Sequence, residues 1–177
     1  MKKLLSILLV ALMLVAPAFA EPHDFSPYDH THGSAGGSRY LYYEFPDILI
    51  YLPGDWEGKI TVEQTENGVA FYQTASLEKY LEEGVPGGGF LFMLCASENE
   101  DFRELPEYAD LGYSENAGLH FYLSLPSDYP AYLEDDIRAE YDAMSAEIEP
   151  VVVEMAKIRQ SMEFYTDGIE STDMGMS

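Results

Sequence analysis

The sequence predicts an α+β fold: a mainly antiparallel sheet of about six or seven strands packed against a long C-terminal helix and a short helix. Three observations predict it. Short runs rich in β-branched and aromatic residues follow one another through the middle of the chain, with turn residues between them. Glu66-Asn67-Gly68 and Ser114-Glu115-Asn116-Ala117-Gly118 join neighbouring runs too closely for anything but hairpins. Finally, Ile137, Tyr141, Met144, Ile148, Val151, Met155, Ile158 and Met162 recur at alternating spacings of four and three, the period of a helix with one apolar face.

In chain order, Met1-Lys2-Lys3 is basic, Leu4 to Val15 is apolar, and Ala18-Phe19-Ala20 has the small-x-small pattern of a cleavage site. Together these are the parts of an export signal over residues 1–20. The apolar run is shorter than the ~20 residues of a membrane span, and acidic Glu21 follows at once, so release to the extracellular side is expected. Residues 21–38 mix Pro, Gly, Ser, His and Asp without periodicity and read as a mobile arm. Residues 39–164 are expected to form a single domain, and residues 165–177 a polar, frayed tail.

Within the domain, the strands are expected at Tyr40 to Phe45, Ile48 to Leu52, Ile60 to Gln64, Val69 to Gln73, Gly89 to Ala96 and Leu119 to Leu125, with a weaker one at Tyr108 to Tyr113. Asn-Gly tolerates positive φ, which places the first hairpin turn at residues 66–68. Ser76 to Glu83 reads as the short helix, capped by Ser76 or Thr74 and stopped by Gly84 with Pro86 beyond. The long helix opens at Glu134-Asp135-Asp136, whose carboxylates complement the positive end of the helix dipole. Pro150 falls off its apolar stripe, so one helix, kinked there and unbroken in phase, is expected. The repeat would also suit a coiled coil. However, Glu140, Glu147 and Glu154 would face Ser145, Val152 and Arg159, which gives one complementary pair, so core packing and a monomer are favoured over a helix-mediated dimer. Cys95 is the sole cysteine; no intramolecular disulfide can form, and its apolar run predicts an inert buried thiol.

The chain of 177 residues carries 32 Asp+Glu against 9 Lys+Arg, a net charge of −23. That charge repels nucleic acid and anionic membranes and argues against both as partners. At 47% hydrophobic residues the chain can still fill a core, which excludes wholesale disorder.

Ile48, Ile50, Leu52-Pro53, Trp56, Gly58-Lys59, Phe71-Tyr72, Ala75-Ser76, Gly88-Gly89, Leu91-Phe92, Leu105-Pro106, Tyr108, Leu111-Gly112 and Ser161-Met162-Glu163-Phe164 form a further pattern. On these residues the chain resembles a group of short exported domains of unassigned function from Gram-positive bacteria, many of them gut anaerobes. The strand, Leu-Pro, x-x-Trp opening and the long-helix ending also look like the Mog1/PsbP-type architecture. The resemblance implies fold and export. Its matching residues are packing and turn residues, and it supplies no catalytic residue.

Candidate chemistry is sparse. On the strand Leu119 to Leu125, alternation puts His120 and Tyr122 on the wetter face. With Tyr51 and Tyr72 they form the expected ligand-binding set, an aromatic platform for a protein, peptide or glycan. His120 beside a carboxylate would instead suit the general base of a small secreted hydrolase. His30 and His32 with Asp29 carry the ligand types of a transition-metal site, and the acidic surface could collect cations. His23 near the mature N-terminus cannot complete an amino-terminal copper site, because Pro22 has no N–H to ionise. Ser76-Leu77-Glu78-Lys79 matches S-x-x-K, but no K-T-G element accompanies it, and Gly87-Gly88-Gly89 lacks the residues of a phosphate loop. No cofactor and no catalytic set is expected. The reading is a secreted, acidic, non-catalytic binding module, with cation binding by arm and surface and a His120 hydrolase as alternatives.

Overall fold

A computed structural model describes Phe25, residues 29–35 and residues 38–157. Eight strands form: β1 (Asp29–Ala35), β2 (Ser38–Glu44), β3 (Leu49–Pro53), β4 (Ile60–Thr65), β5 (Gly68–Gln73), β6 (Phe90–Ser97), β7 (Tyr108–Ser114) and β8 (Leu119–Ser124). Helix α1 spans Thr74–Glu82 and α2 spans Asp135–Glu147, with 3₁₀ turns at Gly54–Trp56 and Asp101–Glu104. The fold is α+β and every strand pair is antiparallel.

The strands divide into two sheets rather than one, in the orders β1-β2-β3 and β4-β5-β6-β8-β7. The division falls where Pro53, which has no N–H for a ladder bond, leads into the turn holding Trp56. Trp56 is 1% exposed, and its Nε1–H donates to Glu147 Oε2 at 2.9 Å, so this junction is pinned to the end of α2. The two sheets and the long helix share one core, with Leu41, Ile50 and Leu52 from the first sheet, Phe71, Phe92, Leu94, Phe121 and Leu123 from the second, and Tyr141, Met144 and Ile148 from the helix.

The expected arm is corrected over its described residues. Residues 29–35 pair with β2 along their whole length, from Asp29↔Glu44 to Ala35↔Ser38. Phe25 is buried, with its ring edge-on to Phe45 and Phe121. Pairing with a Tyr-rich neighbour supplies what the local Gly, Ser and His composition lacks.

The first hairpin forms at the expected place with a shifted turn. Thr65 pairs with Gly68, so Glu66-Asn67 make the loop and Gly68 opens β5. No non-glycine residue has positive φ among the described residues. Glycine is required at 68 by proximity: a Cβ there would lie 2.0 Å from the Leu94 carbonyl oxygen. Ser76 is not a cap. The N-cap position falls to Gln73, and Ser76 is buried within α1, where its Oγ donates to Gln73 Oε1 and accepts from the Tyr132 N–H at 2.9 Å.

The long helix keeps going at Pro150 but not in phase. Residues Ile148–Val153 wind as a π-helix and regular α-turns resume at Glu154. Tyr141, Met144 and Ile148 are buried as expected, and Ile137 is half-buried. Beyond Pro150 the buried residues are Val152, Val153 and Ala156, while Val151 and Met155 are half-exposed. The wider turn takes up an extra residue, so the apolar stripe slips by one. Ile158, Met162 and the expected helix end, like the export signal and the tail, lie outside the described residues. Among the described residues no helix is long and apolar enough to cross a membrane.

Candidate functional site

Strand pairing builds the outer face of the five-stranded sheet. Cys95, Tyr122 and Asp110 lie side by side across β6, β8 and β7, and the next row is Ser97, His120 and Tyr113. The 3₁₀ turn after β6 then lays Phe102 over them. Its ring stacks on Tyr122 at 4.5 Å and 10°, meets Tyr108 edge-on at 5.6 Å, and tilts against His120 at 5.9 Å. Tyr113 approaches His120 at 4.8 Å. Phe102 is buried, Tyr108, His120 and Tyr122 are half-buried, and Tyr113 is 49% exposed. Arg103 fastens the turn at its rim, 2.8 Å from Glu100 and 3.4 Å from Asp110, with its guanidinium 5.8 Å from the centre of the Phe102 ring. These ion pairs are exposed and worth at most ~1 kcal/mol each, so ring packing chiefly holds the turn in place.

The groups below the rings stay protonated. Burial, against the opposing hydrogen bond from Tyr122, pushes the Cys95 thiol up to about 11. Burial and then the neighbouring Cys95 push the Tyr122 hydroxyl up to about 12. The Cys95 S–H donates in turn to the Met93 carbonyl, with Sγ 3.6 Å from the oxygen. A thiol held this way is a poor nucleophile near neutral pH.

Of the four residues of the expected ligand-binding set, three lie on the five-stranded sheet and one on the other sheet. His120 and Tyr122 are together. Tyr72 is on the same sheet but pairs with Phe90, five residues along β6 from the partner of Tyr122. At strand spacings that is about 16 Å along the sheet and ~10 Å across it. Tyr72 instead meets Phe90 edge-on at 5.8 Å, and burial followed by the charge of Glu63 raises its hydroxyl pKa. Tyr51 belongs to the other sheet, in a cluster with Tyr42 at 5.9 Å and Tyr40 at 6.3 Å.

For the expected metal set, pairing places His30 opposite Tyr43, His32 opposite Leu41 and Asp29 opposite Glu44. Asp29 is thus at a register position of opposite parity to the two histidines. Among the described residues no group of three or more His, Cys, Asp and Glu is arranged to hold a metal ion.

Phe102, Tyr108, Tyr113 and Arg103 are the residues that sequence reasoning missed here. Phe102 stands alone among charges in Ser97-Glu98-Asn99-Glu100-Asp101-Phe102-Arg103-Glu104, and a lone large apolar residue in so charged a run is the one signal that could have marked it. No family model, no curated protein and no solved structure matches the chain.

Proposed function

We propose that this chain is an exported, non-catalytic binding domain of the Mog1/PsbP type. It would hold an uncharged or cationic peptide or glycan against the rings on the outer face of its five-stranded sheet. The observation that carries this reading is the Phe102–Tyr122 stack, surrounded by Tyr108, Tyr113 and His120 and left partly in water. Tyr rings combine apolar area with a hydroxyl and lose little entropy on binding, which suits them to a contact surface. A net charge of −23 selects against anionic ligands, and residues 1–20 support export. The hydrolase alternative has less behind it, since His120 is packed against the rings of Phe102 and Tyr113 and the nearby thiol is held protonated.

Titrating the protein with neutral oligosaccharides and with short uncharged and basic peptides, read by ¹H–¹⁵N spectra, tests the reading. Shifts should cluster on β7, β8 and residues 101–104. Tyr113→Ala, at the exposed edge, should weaken binding roughly five- to tenfold, the worth of one ring contact. Binding untouched by that change, or turnover of any of these compounds, would overturn it.

A further inference from the structure

A concavity lies where the end of β8 meets the π-helical segment. It has a volume of about 310 Å³ and is lined by Glu107, Leu125, Pro126, Ser145, Ala146, Ile148, Glu149 and Pro150. The size is at the small end for ligand sites, enough for one side chain or a small amine. The groove is held open from both sides. The Leu125 N–H donates to the Glu107 carbonyl at 3.1 Å, fixing the entrance to β7 against the exit of β8. On the helix side, Glu149 and Pro150 stand off the apolar stripe and are exposed, while Ile148 stays buried beneath.

Two features of the lining point to a cation. Glu107 and Glu149 bring two carboxylates, and neither side chain makes an ion pair or hydrogen bond among the described residues. Two other helix glutamates are engaged, Glu140 with Lys59 and Glu147 with Trp56. Among the described residues no Lys or Arg lines the groove, and the last turn of α2 contains no basic residue.

The remaining lining tells which cation. Leu125, Pro126, Ile148 and Pro150 are apolar and would leave a divalent ion, which wants six or more oxygens, short of ligands. They suit a methylene stem. A compact ammonium can take acceptors from two separate carboxylates, whereas a guanidinium asks for a planar fork. We propose that this groove is a binding site for an alkylammonium group, the lysine side chain of a partner peptide, with Glu107 and Glu149 taking its charge.

The full chain is titrated with n-butylammonium chloride and with N-acetyl-lysine methylamide, using N-acetyl-norleucine methylamide as the uncharged control and ¹H–¹⁵N shifts as the readout. The proposal expects shifts at Glu107, Leu125, Ser145 and Glu149 with both amines and none with norleucine. Glu107→Gln with Glu149→Gln, both exposed and so harmless to the fold, should weaken amine binding at least about tenfold, the loss of one charge-assisted hydrogen bond. Tyr113→Ala should leave it unchanged, which separates this site from the aromatic face. Equal binding of norleucine, insensitivity to the paired Gln substitutions, or displacement of the amine by calcium chloride at equal concentration would each overturn the proposal.

Discussion

On the inner face of the five-stranded sheet, Phe71 and Phe92 stack at 4.5 Å and are wholly buried in the core shared with the three-stranded sheet and the long helix. On the outer face, Phe102 and Tyr122 stack at the same 4.5 Å, but only a four-residue 3₁₀ turn covers them. Both pairs are stacked at the same distance, with interplanar angles of 21° inside and 10° outside, and the surroundings differ. Inside, both rings are fully buried in one core cluster with Leu94, Phe121 and Leu123, and Tyr43 meets Phe71 edge-on at 5.3 Å, so dispersion contacts are filled on every side. Outside, Tyr108, His120 and Tyr113 form a partial fence and water reaches the rest. The stack alone therefore does not say whether a ring is structural or available, and what lies above it does.

The comparison can be tested by emptying one ring on each face. Phe92→Ala should cost 3–5 kcal/mol, about the usual cost of deleting a fully enclosed Phe, because the neighbours on three elements cannot all collapse into the space. Phe102→Ala should cost about 2 kcal/mol, the transfer value for its ring, since the turn can settle onto the sheet. Urea unfolding of both variants gives the two numbers. Equal losses would mean that the outer face is packed as a second core, and the distinction between the faces would fail.

Much of this arrangement was legible where the signal is local. The hairpin around Asn67 and the one at residues 114–119 were, because turn chemistry acts within a few residues. The alternation that put His120 and Tyr122 on the wetter face was also correct for the same reason. Long-range facts were not legible. Tyr51 and Tyr72 were grouped with Tyr122 because nothing in their neighbourhoods says which strands become adjacent. β1 was missed since its stability comes from β2, not from its own Gly33, Ser34 and histidines. The helix shows the limit of periodicity itself. Val151, Val152 and Val153 are all apolar, so either phase satisfies the pattern after Pro150, and the missing N–H, together with the π-turn, selects the later one.

The smallest expected effect distinguishes the faces by chemistry rather than by packing. The outer row holds Cys95 and Tyr122 protonated, at about 11 and about 12, above their reference values of 9.0 and 10.0. A group whose folded pKa is raised lends stability that is whole below its unfolded pKa and is lost as pH climbs through the folded one. For the thiol that window runs from about 9 to about 11, and the tyrosine's, from about 10 to about 12, overlaps its upper half. Cys95→Ala removes the thiol's share. Urea unfolding at pH 8 and pH 10 should then show the native chain losing about 1 kcal/mol more than the variant over that interval, the linkage value for a folded pKa of about 11 against 9.0. Phe92→Ala should leave the native pH dependence as it is. If it flattened the curve as Cys95→Ala does, the two faces would be coupled through β6, and the strand could not be treated as a wall between a core and a surface.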